Sequence, residues 1–130
     1  MKSLIVEDEF TTRLILQNIL SQFGEVHIAV NGREATEAVR LAYRDSAPYR
    51  LIAMDVMMPE MNGQAALKAI RTLEHELAID PAEVAKIIMT TALGDGKTIM
   101  TAFKDQCDGY LVKPIDKAKL LKYLDDFKLI

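Results

Sequence analysis

Five short apolar segments, separated by stretches with helical spacing, constrain the fold of this chain more than any other feature. They predict strands at Ser3–Val6, Val26–Val30, Leu51–Met54, Ile87–Thr90 and Tyr110–Val112. Because the segments are continuously apolar rather than alternating, they suit a parallel sheet that is covered on both faces. Five strand–helix repeats therefore indicate an α/β domain with helices on both sides of the sheet.

The stretches between the strands carry apolar residues at the spacing of amphipathic helices. These residues are Leu16, Ile19, Leu20 and Phe23, then Ala35, Ala38, Val39 and Ala42, then Ala66, Leu67, Ile70 and Leu73, then Ile99, Met100 and Phe103, and finally Leu120, Leu121, Leu124 and Phe127. The longest connection, residues 74–84, is expected to be a solvated surface insertion. Asp80 as N-cap and Pro81 at the first helical position predict an extra helical turn within it.

The composition limits the class of protein. The 130 residues carry a net charge of −3 and 50% of them are hydrophobic, which predicts one globular domain over residues 1–130 and argues against a nucleic-acid-binding surface. The single cysteine, Cys107, excludes an internal disulfide and is expected to be a buried thiol in a helical stretch. No signal peptide or membrane-spanning apolar run is present, so we expect a cytoplasmic protein without membrane insertion.

Polar residues directly follow four of the five predicted strands. In an open α/β sheet the ligand site lies outside the carboxyl ends of the strands, so these residues are the candidates for a functional site. The polar residues are Glu7, Asp8 and Glu9 after the first strand, Asp55 after the third, Thr91 after the fourth and Lys113 after the fifth; Thr91 is followed by Ala92 and Lys113 by Pro114.

The chemistry of these strand ends excludes one common site and favours another. Three consecutive acids replace the glycines that a nucleotide-binding βαβ unit places after its first strand, and they would repel a phosphate. They would attract Mg²⁺, for which Asp8 and Asp55 could supply the carboxylates. With the ammonium of Lys113 and the hydroxyl of Thr91, the set suits phosphoryl transfer onto a carboxylate.

Each residue also has a simpler structural interpretation. Glu7 or Asp8 could cap the first helix, Thr91 could be only a β-forming residue, and Lys113 a solvated strand terminus. Tyr110 could be a packing aromatic. The methionines expected to fill the core are Met54, Met57, Met58 and Met61. The joint occurrence of complementary chemistry at four strand ends favours a functional site.

Four sequence blocks and the spacing between them resemble the receiver domains of bacterial two-component response regulators, in particular the single-domain chemotaxis regulators. The blocks are LIVEDE at 4–9, MDVMMPEMNG at 54–63, MTTA at 89–92 and DGYLVKP at 108–114. The resemblance extends over nearly the whole chain. It implies a flavodoxin-like, doubly wound (βα)5 three-layer sandwich with a five-stranded parallel sheet in the order 2-1-3-4-5.

The resemblance implies a phosphoacceptor site with a bound magnesium ion. Asp55 would attack the phosphohistidine of a sensor histidine kinase or phosphotransfer protein. Asp8 would bind Mg²⁺ directly, Glu7 mainly through water, and the backbone carbonyl of Met57 would be a further protein ligand. The protein would catalyse only its own phosphorylation and dephosphorylation at Asp55.

The resemblance also implies a conformational switch. Lys113 would pair with the phosphoryl group and precede a cis bond to Pro114, Thr91 would be the switch hydroxyl, and Tyr110 would change rotamer with it. The responding surface would comprise the fourth helix, fifth strand and last helix. Because the sequence ends at Ile130, we expect signalling through a downstream target protein or onward phosphotransfer; a domain excised from a larger protein is the alternative.

The segment after Asp55 explains why an ionisable residue ends a buried strand. A nucleophile must be held rigidly, and Pro59 with Asn62-Gly63 is expected to turn the chain away so that the carboxylate stays open to its donor.

Two apolar residues lead to a hypothesis on the lifetime of the phosphorylated state. Met57 and Leu93 lie two residues beyond Asp55 and Thr91, at positions that flank the phosphoryl site in the resembled fold. We hypothesise that their side chains hinder a hydrolytic water.

Three other functions fit parts of the sequence. A receiver that binds partners without phosphorylation would not need the full set of Glu7, Asp8, Asp55, Thr91 and Lys113. An Asp-nucleophile phosphatase carries an Asp-x-Asp pair, whereas Asp55-Val56-Met57 lacks the second acid. A flavin-binding electron carrier would need a phosphate-binding loop where the acids stand.

Overall fold

A five-stranded parallel sheet organises the chain, which the computed structural model describes over residues 1–58, 60–92 and 107–130. The strands and helices in chain order are β1 (Ser3–Val6), α1 (Phe10–Leu20) with a 3₁₀ turn (Ser21–Phe23), β2 (Val26–Ala29), α2 (Gly32–Arg44), β3 (Leu51–Asp55), α3 (Gly63–Glu76), β4 (Lys86–Thr91), β5 (Gly109–Val112) and α4 (Lys117–Asp126).

The strand order is β2-β1-β3-β4-β5, with every neighbouring pair parallel. This confirms the flavodoxin-like order that the resemblance implied. β3 is one residue longer than predicted and ends on Asp55, and β4 likewise includes Thr91. Both residues therefore belong to the hydrogen-bonded ends of their strands rather than to the loops that follow.

Two apolar clusters, one on each face of the sheet, hold the layers together. One cluster joins Leu4 and Ile52 to residues of α2 and α3. The other joins Ile5 and Ala53 to residues of α1 and α4. Successive residues of β1 and β3 thus enter opposite clusters, and both strands are buried throughout. The predicted three-layer sandwich is confirmed for the described elements.

The edge strands depart from the predicted burial on both faces. In β5, Gly109 and Leu111 are buried whereas Tyr110 and Val112 are exposed. In β2, Ile28 is exposed as well. An edge strand has a neighbour on one side only, so fewer side chains pack over it than over β1 and β3.

The connection between α3 and β4 forms a turn instead of the predicted extra helical turn. The Asp80 carboxylate accepts a hydrogen bond from Ala82 N at 2.8 Å, and the Asp80 carbonyl accepts one from Glu83 N at 2.7 Å. Asp80 therefore closes a turn on its own backbone, as short polar side chains often do.

Two further expectations need correction. Glu74, assigned from sequence to a solvated insertion, belongs to α3 and is only 2% exposed. Cys107 is buried as expected, but it lies two residues before β5 and in no described helix. The predicted helix around Ile99, Met100 and Phe103 lies outside the described residues. No helix within the described ranges is long and apolar enough to cross a membrane.

A buried ionic network joins the ends of α2 and α3 to the starts of β4 and β5. The Glu74 carboxylate accepts hydrogen bonds from Tyr43 Oη at 2.5 Å, Ala85 N at 2.9 Å and Arg71 Nη1 at 2.6 Å. Arg71 Nη2 also donates to Asp108 Oδ2 at 2.9 Å. Burial, reinforced by the adjacent Glu74 carboxylate, raises the pKa of Tyr43. The network lies at the amino ends of the strands, opposite the acidic residues described next.

Candidate functional site

Three acidic side chains meet where the adjacent strands β1 and β3 end. Val6 is the register partner of Met54, so the next residues, Glu7 and Asp55, emerge side by side. One ligand atom each from Glu7, Asp8 and Asp55 lies within 4.8 Å of the others. Glu7 is completely buried and Asp55 is 5% exposed, whereas Asp8 faces solvent. The structure thus brings together the three acids that the sequence assigned to a metal site.

Both oxygens of Asp55 have a partner. Oδ1 accepts a hydrogen bond from Met57 N at 3.1 Å, and Oδ2 accepts one from Lys113 Nζ at 3.2 Å. The side chain is therefore fixed by the backbone that follows it and by a cation from the end of β5. Such fixation is what a nucleophile needs in order to meet its donor in one orientation.

Lys113 connects three strands of the sheet. Its Nζ lies 2.9 Å from Glu7 Oε1 and 3.2 Å from Asp55 Oδ2, and its backbone N donates to Thr91 O at 2.8 Å. Partial burial acts to lower the pKa of Lys113, but the two carboxylates outweigh it and the pKa is raised. The solvated strand terminus considered from sequence is therefore wrong. The bond from Lys113 to Pro114 is cis, as the resemblance implied.

Glu7 has the least favourable surroundings of the three clustered carboxylates. Burial raises its pKa to about 7; the Lys113 ammonium opposes this shift and Asp55 reinforces it. Oε2 accepts from Glu9 N at 3.2 Å, whereas Oε1 is paired by charge with Lys113 but has no aligned hydrogen-bond donor among the described residues. A buried carboxylate oxygen in this condition, next to two further acids, fits a hard divalent cation.

The cap of α1 is a different residue from those considered in the sequence. Glu9 Oε1 accepts hydrogen bonds from Thr12 N at 3.1 Å and Thr12 Oγ1 at 2.5 Å. These hydrogen bonds lower the pKa of Glu9. The interpretation of Glu7 or Asp8 as the helix cap is therefore wrong, and both remain available to the acidic cluster.

The chain after Asp55 turns back tightly, as Asn62-Gly63 predicted. Gly63 N donates to Val56 O at 2.9 Å, and Asn62 Oδ1 caps α3 by accepting from Ala65 N at 2.9 Å. A Cβ on Gly63 would lie 2.2 Å from the Asp55 carbonyl oxygen, so only glycine allows α3 to start this close to β3. Pro59, the other predicted turn residue, lies outside the described residues.

The four methionines of this region do not share one environment. Met54 is completely buried, and Met58 and Met61 are partly buried against the core. Met57 is 67% exposed, so its expected role as a core filler is wrong. Its backbone N lies 3.1 Å from Asp55 Oδ1, so the residue itself is next to the acidic cluster. Leu93, the other residue of the lifetime hypothesis, lies outside the described residues.

The two predicted switch residues occupy neighbouring strands. Thr91 is completely buried at the end of β4, one residue beyond Thr90, the register partner of Asp55, and its hydroxyl donates to Ala92 O at 3.3 Å. Tyr110 is exposed in β5, and its backbone N donates to Tyr123 Oη at 3.2 Å. A groove of about 350 Å³ between β5 and α4 is lined by Tyr110, Leu111, Val112, Lys119, Lys122, Tyr123 and Asp126.

Sequence comparison connects this geometry to known proteins. The family model described as response regulator receiver domain matches residues 3–125. The chemotaxis protein CheY of Thermotoga maritima is 36% identical over 124 residues, which cover 94% of this chain and 92% of that protein. The osmosensing histidine protein kinase SLN1 of Saccharomyces cerevisiae is 30% identical over 98% of this chain but only 10% of its own length.

Comparison with solved structures gives the same result. A chain in the CheX–CheY–BeF3–Mg²⁺ complex from Borrelia burgdorferi is 26% identical with a TM-score of 0.81, covering 98% of this chain and 89% of that one. A chain in the co-crystal structure of the yeast phosphotransfer protein Ypd1 with the receiver domain of Ssk1 is also 26% identical, with a TM-score of 0.82 and coverages of 98% and 88%.

Proposed function

The chain belongs to the response regulator receiver family, whose members are phosphoacceptors, and from that premise we propose that residues 1–130 form one receiver domain with Asp55 as the phosphoacceptor. One observation carries the assignment of the residue. The Asp55 carboxylate is held between Met57 N at 3.1 Å and Lys113 Nζ at 3.2 Å, at the end of a buried strand and beside two further acids.

The residues divide the reaction between them. A carboxylate oxygen of Asp55 forms a bond to the donor's phosphorus, the bond from phosphorus to the donor breaks, and the electron pair leaves with the donor. Met57 N and Lys113 hold Asp55 in place, and the ammonium of Lys113 offsets negative charge that arrives with the phosphoryl group. The protein acts as a catalyst only for its own phosphorylation and dephosphorylation.

Mg²⁺ is the cofactor that the acidic cluster fits. Asp8 and Asp55 would hold it through carboxylate oxygens, Glu7 mainly through water, and Met57 through its backbone carbonyl. When bound, the ion supplies positive charge to the phosphoryl oxygens. The under-satisfied Oε1 of buried Glu7 supports this proposal from the structure. The CheX–CheY–BeF3–Mg²⁺ complex from Borrelia burgdorferi, in which a related CheY is found with Mg²⁺, supports it from a relative.

The phosphodonor would be a sensor histidine kinase or a phosphotransfer protein, in keeping with the SLN1 and Ypd1–Ssk1 relatives. Thr91 and Tyr110 would pass the change on. Lys113 N already binds Thr91 O at 2.8 Å, so a shift at the site reaches β4 and β5 together. The output would be recognition by a downstream target protein, in the cytoplasm, near the groove between β5 and α4.

A direct test uses a small acyl phosphate as donor with Mg²⁺, read by intact mass. We expect one added phosphoryl group in the wild-type protein and none in Asp55→Asn. Equal mass gain in Asp55→Asn would place the phosphoacceptor elsewhere, and no gain in either protein would favour a receiver that binds partners without phosphorylation. Turnover of a small phosphate ester would instead indicate the phosphatase, which the lack of a second acid at Met57 disfavours.

A further inference from the structure

Met57 is the most exposed large apolar side chain in the described ranges. Its exposed fraction is 67%, whereas Met54 and Met89 are completely buried. Met61 is partly buried, and its Sδ accepts a weak hydrogen bond from Thr36 Oγ1 at 3.9 Å. A thioether reacts with peroxides when an oxidant can reach it, so exposure sets the order in which these sulfurs react.

The single thiol of the chain is a poor competitor for an oxidant. Cys107 is buried, and burial raises its pKa, which disfavours the thiolate that reacts with peroxides. Among the described residues, Met57 is therefore the sulfur most open to solvent.

The position of Met57 connects its sulfur to the phosphoacceptor. The same residue donates its backbone N to Asp55 Oδ1 at 3.1 Å, so its Cα, from which the side chain starts, lies next to the acidic cluster. We propose that Met57 is a reversible oxidation site, and that its conversion to methionine sulfoxide by a peroxide shortens the lifetime of the phosphorylated state. The effect on lifetime rests on the proposed role of Asp55; the selectivity of oxidation does not.

The oxidation step balances with a peroxide as the only co-reactant. The Met57 Sδ lone pair attacks one peroxide oxygen, the O–O bond breaks, and an S–O bond forms. Sulfur loses two electrons, and the other peroxide oxygen leaves as water or an alcohol after it takes the proton. Methionine sulfoxide reductases, one for each epimer at sulfur, return the thioether and release water while a dithiol is oxidised to a disulfide.

The thioether and sulfoxide forms of Met57 differ in how they interact with water. The thioether is apolar and a weak hydrogen-bond acceptor, so it holds water poorly beside the cluster. The sulfoxide is polar and accepts hydrogen bonds. A water held there lies next to the residue that would carry the phosphoryl group. Because Met57 is not part of the core, the fold does not have to rearrange for this change.

Hydrogen peroxide and peptide mapping test the selectivity first. We expect Met57 to be oxidised severalfold faster than Met54 and Met89 in the folded protein, and all three to react at similar rates in urea. Equal rates in the folded protein would overturn the proposed site.

The lifetime test compares treated with untreated protein within each variant. After phosphorylation by the acyl phosphate, we expect oxidised wild type to lose the group severalfold faster, with the original rate restored by the two epimer-specific reductases and a dithiol. The treated-to-untreated ratio should fall to unity in Met57→Leu and stay as in wild type in Met61→Leu.

The outcomes separate this inference from the proposed function. If the untreated protein gains no phosphoryl mass, Asp55 is not the acceptor and the regulatory role falls with it. If phosphorylation proceeds and Met57 is oxidised with an unchanged or longer lifetime, or if Met57→Leu responds as wild type does, the regulatory role is wrong while the proposed function stands.

Discussion

At the scale of single residues, Glu7 shows how a longer acid changes the balance of charge in the cluster. Its Oε1 lies 2.9 Å from Lys113 Nζ, so one lysine serves two carboxylates. Burial nevertheless dominates, and the pKa of Glu7 is raised to about 7. Without a metal, Glu7 is therefore a carboxyl group that loses its proton near neutral pH. The negative charge that forms on Glu7 is then buried.

This gives a pH dependence with a definite sign. The pKa of Glu7 is higher in the folded protein than in the unfolded chain. The group therefore contributes stability at a pH below its unfolded-state pKa, and this contribution is lost as the pH rises through about 7. At about 1.4 kcal/mol per pKa unit, the wild type should lose roughly 3 kcal/mol relative to Glu7→Gln between pH 4.5 and pH 8.5 in a chelator. Urea unfolding of both proteins at the two pH values measures the difference. A constant difference would show that Glu7 is not perturbed.

A further prediction concerns the acidic cluster as a set of metal ligands: removal of Mg²⁺ should lower the stability of the folded protein. Mg²⁺ at 100 times its dissociation constant should stabilise the folded protein by about 2.7 kcal/mol, because it binds the folded state alone. The stabilisation should disappear in Asp8→Asn, whose side chain is exposed and whose loss should leave the core intact. Thermal unfolding with Mg²⁺ and with chelator gives the values. Equal stabilisation of Asp8→Asn would remove Asp8 from the ligand set.

At the scale of elements, the start of α3 determines where Asp55 sits. A Cβ at position 63 would meet the Asp55 carbonyl oxygen at 2.2 Å, a contact with backbone that no side-chain rotation relieves. Gly63→Ala should therefore displace the end of β3, cost about 1–3 kcal/mol and slow phosphorylation. Lys68→Ala, at an exposed position of the same helix, is the control. Normal phosphorylation of Gly63→Ala would show that Asp55 tolerates the shift.

The elements also show what sequence could and could not predict. Apolar runs located all five strands, since a continuous run of apolar residues is a local property of the chain. The carboxyl ends of β3 and β4 lie one residue beyond the prediction, because Asp55 and Thr91 are held by ladder hydrogen bonds that no local pattern encodes. The Asp80 turn was misassigned as helix because a capping residue and a turn residue have the same chemistry. The burial of Glu74 depends on contacts with Tyr43, Arg71 and Ala85. Tyr43 and Ala85 are distant from it in sequence, and Arg71 lies outside the apolar pattern of α3.

At the scale of the whole molecule, the Glu74 network links the layers at the edge opposite the acids. Removing its carboxylate would leave Tyr43 Oη, Ala85 N and Arg71 without their shared partner. Glu74→Ala should cost about 3–5 kcal/mol, the range for breaking a buried ion pair. The exposed Glu76→Ala at the same helix end is the control and should be nearly neutral. Urea unfolding of the two variants distinguishes them; similar stability would make the network dispensable.

The strand order determines which strands are affected by a single chemical change at the end of β3. β3 is the midpoint of the sheet, with two strands on either side. A charge added at its tip is about 4.8 Å from the neighbouring strand to the left and equally far from the one to the right. One modification therefore affects the strands on both sides of β3, whereas the same modification on an edge strand would affect a strand on one side only.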